Sequence, residues 1–234
     1  MNTQRGIALI IVILVTSFLS AIGLGLAMVV VMDKLATVNV RGSIALLYAA
    51  DAAIELTARD LAQLPDWNLA LSGAVKSMAA DGEPTGVRPI PGGGEIDLTV
   101  ETNQLNCGQA ADCTVEEMAA STDDRPWGAN NARWQLYAYG PSGNFVHFAK
   151  PTPSYLVLWV ADDAREGDGD PLADASEQAP GHGILRVRAD AYGPVGTRRA
   201  IEAELVRSCL IGAGRYCPTG IRVQSWQELR QNVP

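Results

Sequence analysis

From Ile7 to Met32 the chain runs for 26 residues without a charge, and only Thr16, Ser17 and Ser20 are clearly polar. As a helix rising ~1.5 Å per residue this stretch is roughly 39 Å long, more than the ~30 Å hydrocarbon core of a bilayer. A freely soluble cytosolic protein is all but excluded. The run holds no ionisable group to relay protons or bind an ion, so it reads as an interaction element. The helical period continues beyond it: Leu35, Val38, Gly42, Leu46, Ala49, Ala53, Leu56 and Leu64 recur about every 3.6 residues. Lys34, Arg41, Asp51, Glu55 and Arg59 fall mostly elsewhere, and no proline intervenes before Pro65. One helix over Ile7–Leu64 is predicted, roughly 87 Å if unbroken. Residues 7–32 would lie in a membrane or filament core, and residues 33–64 would form an amphipathic continuation packed on a head. Gly23 and Gly25 each cost such a helix ~1 kcal/mol relative to alanine. With Ala27 they equally let another membrane helix approach closely.

Only Met-Asn-Thr-Gln-Arg-Gly precedes the apolar run, and no clear small-residue cleavage site follows it. Either Arg5 holds a short N-terminus in the cytoplasm beside a plain anchor, or residues 1–6 are a leader clipped between Gly6 and Ile7. The second arrangement resembles the type IV pilin (class III) signal, with Gln4-Arg5-Gly6 followed by Ile7-Ala8-Leu9-Ile10-Ile11-Val12. Most pilins carry glutamate where this chain has Ile11. Its absence fits PilX-like minor pilins and GspK-like pseudopilins. Farther on, Arg41-Gly42-Ser43, Tyr48-Ala49-Ala50-Asp51-Ala52-Ala53, Asp66-Trp67-Asn68 and Leu71-Ser72-Gly73 are similar to the PilX N-terminal pattern, with Asp51 in a slot usually held by glutamate.

The resemblance implies a minor pilin of a type IV pilus or related filament, in its initiation or tip complex, with Gly6 and Ile7 as processing residues and Ile7 methylated. It implies other pilins, the prepilin peptidase and the inner-membrane assembly platform as partners. The location implied is the bacterial inner membrane, N-terminus cytoplasmic and head extracytoplasmic, and then the pilus surface. A GspK-like type II secretion pseudopilin would usually need a large inserted helical domain, for which the residues after Leu64 leave little room. An uncleaved, anchored extracytoplasmic binding protein or adhesin is the reading of a different class.

Past Pro65 the period changes from 3.6 to 2. Residues 73–94 read as loop, with a short helix around Ala74–Ala80 and a turn at Gly92-Gly93-Gly94. Alternation predicts strands at Ile96–Val100, Trp134–Tyr139, Leu185–Tyr192 and Ile201–Val206, and the apolar run Tyr155–Val160 predicts a strand covered on both faces. The last two alternating strands should form a hairpin about Gly193-Pro194-Val195-Gly196, with Arg186 and Arg188 near Glu202 and Glu204 on a solvated face. Residues 103–132 have little periodicity. The predicted fold is α+β, a long N-terminal α-helix packed on an antiparallel sheet of four to six strands. That is also the pilin-like fold the resemblance implies. The head should span 65–208, followed by a disulfide-closed tail over 209–234.

Cys107, Cys113, Cys209 and Cys217 show no zinc-ligand spacing, and the two histidines, His147 and His182, lie far from both pairs in sequence. Outside the membrane disulfides are expected. Of three possible pairings the local ones, Cys107–Cys113 and Cys209–Cys217, are preferred. Between Ala161 and Glu177 seven carboxylates face one arginine, Arg165. Asp162, Asp163, Asp168, Asp170 and Asp174 form a candidate calcium site, since calcium takes ~6–8 oxygens. The alternative is a solvated acidic loop. An EF-hand is not met, because Leu172 holds its third ligand slot. No nucleophile elbow, H-E-x-x-H or P-loop is present, so no enzyme is expected. The net charge of -8 argues against nucleic acid as a partner.

Overall fold

The computed structural model describes residues 3–145, 153–167, 169–174, 181–207 and 220–229. The chain divides into two units, one up to Gly42 and one from Ser43 onward. The first is helix throughout its described length, part of α1 (Thr3–Gln63), which continues through Gly23 and Gly25. Its apolar side chains from Ile7 to Val40 are exposed. By length and composition α1 can cross a membrane.

The second unit is an α+β head. Within it the remaining turns of α1 pack on a five-stranded antiparallel sheet ordered β3-β4-β5-β6-β7: Gln135–Pro141, Tyr155–Asp162, Ile184–Tyr192, Arg198–Arg207 and Ile221–Leu229. Leu46, Ala50, Ala53, Thr57 and Leu61 are almost wholly buried, and their spacing traces one helical face. Alanines at the middle of that face bring the helix close to Leu156, Leu158, Val187, Ala189, Ile201 and Ala203 of the sheet. Gly193, at the β5–β6 turn, completes this fit. A Cβ there would stand 2.8 Å from Leu46 Cδ1 and from Thr197 Oγ1, so a side chain would force both to shift.

The end of α1 is chemically closed. Pro65 cannot continue the helix, and the carbonyls it leaves open find partners nearby. The indole Nε1 of Trp67 donates to the Leu61 carbonyl at 3.0 Å, and Arg207 donates to the carbonyls of Leu64 (2.8 Å) and Pro65 (3.1 Å). The Arg207 guanidinium also lies 4.3 Å from the centre of the Trp67 ring. A short helix α2 (Asn68–Leu71) follows and buries Ala70 and Leu71.

A second layer covers the other face of the sheet. The strands β1 (Val87–Pro89) and β2 (Glu95–Asp97) form a hairpin, and α3 (Leu98–Cys107) and α4 (Val115–Met118) follow. Ile90, Ile96 and Leu98 pack there against Trp134, Tyr155, Val157 and Trp159. The strand expected at Ile96–Val100 thus stops at Asp97. The Asp97 side chain accepts the backbone N–H groups of Thr99 and Val100, an N-cap that turns the chain into α3. No helix forms at 74–80, where Ser77 and Asp81 donate their N–H groups to Tyr137 and Tyr139 along the edge of β3. The alternation expected over Trp134–Tyr139 is broken by a register shift between Leu136 and Ala138, which sends Leu136 and Tyr139 to the outer layer and Tyr137 and Ala138 to the helix side.

Two further expectations change. The tail over 209–234 contains β7, paired with β6 from Ala200↔Leu229 to Arg207↔Ile221. Most of this strand's side chains are exposed, so apolar alternation does not mark it. The charged face of β5 and β6 is only partly solvated: the Arg186 and Glu202 side chains are 26% and 12% exposed, in an open pocket that residues between Gln104 and Ala132 also line. Arg186 bonds Glu202 diagonally, Glu204 pairs with Arg165, and Arg188 reaches Asp190 on its own strand. The other readings of β4, β5, β6 and the hairpin agree with the structure.

Candidate functional site

The Ala-Ala-Asp-Ala stretch of α1 joins the helix to the sheet. Ala50 and Ala53 face the core, while Asp51 Oδ1 accepts the indole N–H of Trp226, on β7, at 2.9 Å. Arg199 on β6 donates to Ser43 Oγ of α1 (2.6 Å) and to Glu228 of β7 (2.8 Å). These contacts clasp this part of the helix to the head. Ile7, at the expected processing point, is 58% exposed on α1. Gly6 lies within the same helix.

The disulfide Cys107–Cys113 is present, with Cα atoms 5.9 Å apart, and closes the loop after α3. Cys209 and Cys217 lie outside the described residues, as do Asp168 and Glu177.

The acidic loop is sorted more finely than its composition suggests. Asp162 and Asp163 end β4, and their side chains go separate ways. Asp163 is buried against Arg165, accepting its Nε–H at 3.0 Å and its backbone N–H at 3.2 Å. Asp170 accepts the Leu172 N–H at 3.2 Å in a local turn. Asp162 and Asp174 converge with Glu166, their carboxylate oxygens all within 4.8 Å. Glu166, counted in the loop's charge, was not among the expected ligands. The turn Asp163–Glu166, closed by a 2.9 Å backbone bond, brings it back over the strand end.

Asp174 ties the loop to the start of α2. Its N–H donates to Asn68 Oδ1 at 2.9 Å, and its Oδ1 accepts the Gly183 N–H at 3.1 Å. Burial pushes its carboxyl above the usual carboxylate range, against the N–H groups of Gly183 and Ile184 and the charges of Arg207 and His182. A folded-state pKa above the unfolded one means stability that is present at low pH and lost as pH rises through the folded value. Asp174→Asn keeps an acceptor for Gly183 and removes the charge. In chelator at neutral pH this variant should melt a few degrees above the parent, and the two should converge as the pH drops below the carboxylate range. A lower melting temperature for the variant at neutral pH would contradict this. A divalent cation held by the three carboxylates would offset the same burial penalty, and chelation would then destabilise the parent alone.

No family model matches the chain, and no curated protein or solved structure matches it.

Proposed function

We propose that this chain is a minor pilin of PilX-like type, a structural subunit that enters a type IV pilus or related filament through α1. The observation that carries the reading is the double use of one helix. Its first 26 uncharged residues, Ile7–Met32, form an exposed apolar rod, and its last turns belong to the head's core. Other subunits bury the rod once it leaves the bilayer, which hydrophobic burial favours at about 25 cal/mol per Å². Its partners in this reading are other pilins, the prepilin peptidase that cuts after Gly6, and the inner-membrane assembly platform. The role is structural and needs no catalytic group.

The test is the N-terminus of the protein isolated from its native host, read by mass spectrometry. A chain beginning at methylated Ile7 is expected. An intact Met1 in cells with active prepilin peptidase would leave only a tethered extracytoplasmic domain. Gly6→Leu should block the cut and keep the chain out of sheared filaments while leaving the head folded.

A further inference from the structure

The outer layer of the head carries an open cleft of about 360 Å³ between α4, the start of β3 and the turn at Asp170–Leu172. Val115, Met118, Pro171 and Leu172 give it mostly apolar walls, and Arg133 stands in them as the one cation. Arg133 is only 7% exposed, and its Nη1 is buried with no hydrogen-bond partner. Among the described residues no carboxylate forms an ion pair with it. Asp170, in the same wall, makes its turn to Leu172 instead. Arg125 lies near enough for the two guanidinium groups to repel, but Arg125 has an acceptor, the Met118 carbonyl at 2.7 Å. Arg133 Nη1 has none.

Among the described residues the buried Nη1 of Arg133 has neither anion nor acceptor, which is unfavourable, and one carboxylate on the guanidinium corrects both deficits through charge-assisted hydrogen bonds. The walls around it are suited to hydrocarbon. The volume is at the lower end of the roughly 300–1,000 Å³ typical of small-molecule sites, which suits an aryl or short acyl acid better than a long lipid. We propose that this cleft binds a small apolar monocarboxylate, with its carboxylate on Arg133 and its hydrocarbon part against Val115, Met118 and Leu172. The proposal is independent of the filament reading.

The experiment titrates the full chain, in a non-ionic detergent, with 3-(4-fluorophenyl)propionate and separately with the corresponding amide. Binding is followed by fluorine NMR and thermal unfolding. The acid should bind at least tenfold more tightly than the amide and raise the melting temperature. Arg133→Met should erase that preference while leaving the unliganded protein at least as stable as the parent, whereas an arginine serving only the fold would lower its melting temperature. Ala119→Leu, which adds bulk at the cleft wall and leaves Arg133 in place, should also abolish binding, and it decides the matter if Arg133→Met does not fold. Equal binding of acid and amide by the parent, no binding of the acid, the acid preference retained in Arg133→Met, or acid binding retained in Ala119→Leu overturns the proposal.

Discussion

Trp67→Ala should unfold the junction between the helix and the head, lowering stability by about 3–5 kcal/mol, the usual cost of truncating a buried tryptophan. The residue is 1% exposed, so little of the cavity left behind can be reached by bulk water. Its loss also removes the donor to the Leu61 carbonyl and the ring on which Arg207 lies. Arg207 then keeps its bonds to Leu64 and Pro65 but loses the surface that orients it. For a head of this size each kcal/mol corresponds to roughly 2–4 °C, so the melting temperature should fall on the order of 10 °C. Trp67→Phe separates the two contributions. It keeps most of the packing and loses the N–H, but the Leu61 carbonyl retains the Leu64 N–H at 3.2 Å, so the loss should be about 0.5–1.5 kcal/mol, that of one hydrogen bond. Thermal unfolding of the three proteins, with proteolysis near Pro65 as a local readout, checks the order. Equal melting temperatures for Trp67→Ala and the parent would show that the helix end is held by other means.

That junction was partly legible. Pro65 marks the end of α1 because a proline inside the helix would cost a hydrogen bond and clash with the preceding turn. The sequence does not say that Trp67 folds back to cap the helix, because the contact depends on where Arg207, 140 residues later, arrives. Tyr155–Val160 could be recognised as a doubly covered strand, since six consecutive apolar residues leave no face for water. By contrast, β7 carries Arg222, Gln224, Gln227 and Glu228, and a register shift near Ser225 breaks its alternation. Its backbone pairs with β6, and Trp226 and Glu228 make polar contacts with α1 and β6, none of which periodicity reports. The start of α3 was misread for the opposite reason. Ile96, Leu98 and Val100 alternate as a strand would, but one carboxylate, Asp97, captures two backbone N–H groups and the helix wins. The acidic loop announces its charge but not its grouping, which the exit angle of β4 and the turn at Asp163–Glu166 decide. Arg133 stood among ordinary polar residues, and only the tertiary layer over β3 made it an isolated buried cation.

On the outer face of the hairpin, Asp190→Ala should cost about 3–5 kcal/mol, the range for breaking a buried ion pair by removing one partner. Asp190 is fully buried and holds two arginines: Arg188 Nε lies 3.0 Å from its Oδ1, and Arg198 Nε lies 3.0 Å from its Oδ2. Arg198 also reaches Glu101 on α3 at 3.0 Å, and Tyr192 donates its hydroxyl to that same carboxylate at 2.8 Å. The four charges sum to zero, and together they pin α3 to the β5–β6 hairpin. Burial works against charge on Arg198, but Asp190, Tyr192 and Glu101 outweigh it and hold the guanidinium above its ordinary value. Burial first, and then Asp190, pushes the Tyr192 hydroxyl far above the normal phenol range, so it remains a donor. Without Asp190, Arg188 loses its ion pair and Arg198 is left with Glu101, each on a partly buried side chain. Asp190→Asn should fall between the parent and the alanine variant, since it keeps an acceptor and loses the charge. Removing the cations as well distinguishes the pair from the packing: Arg188→Met and Arg198→Met, added to Asp190→Ala, should recover much of the loss, because an absent network costs less than a broken one. Chemical denaturation of the single and combined variants measures the coupling. If the triple variant were less stable than Asp190→Ala by the sum of the separate losses, the residues would be acting independently and the network would not be the fastener between α3 and the sheet.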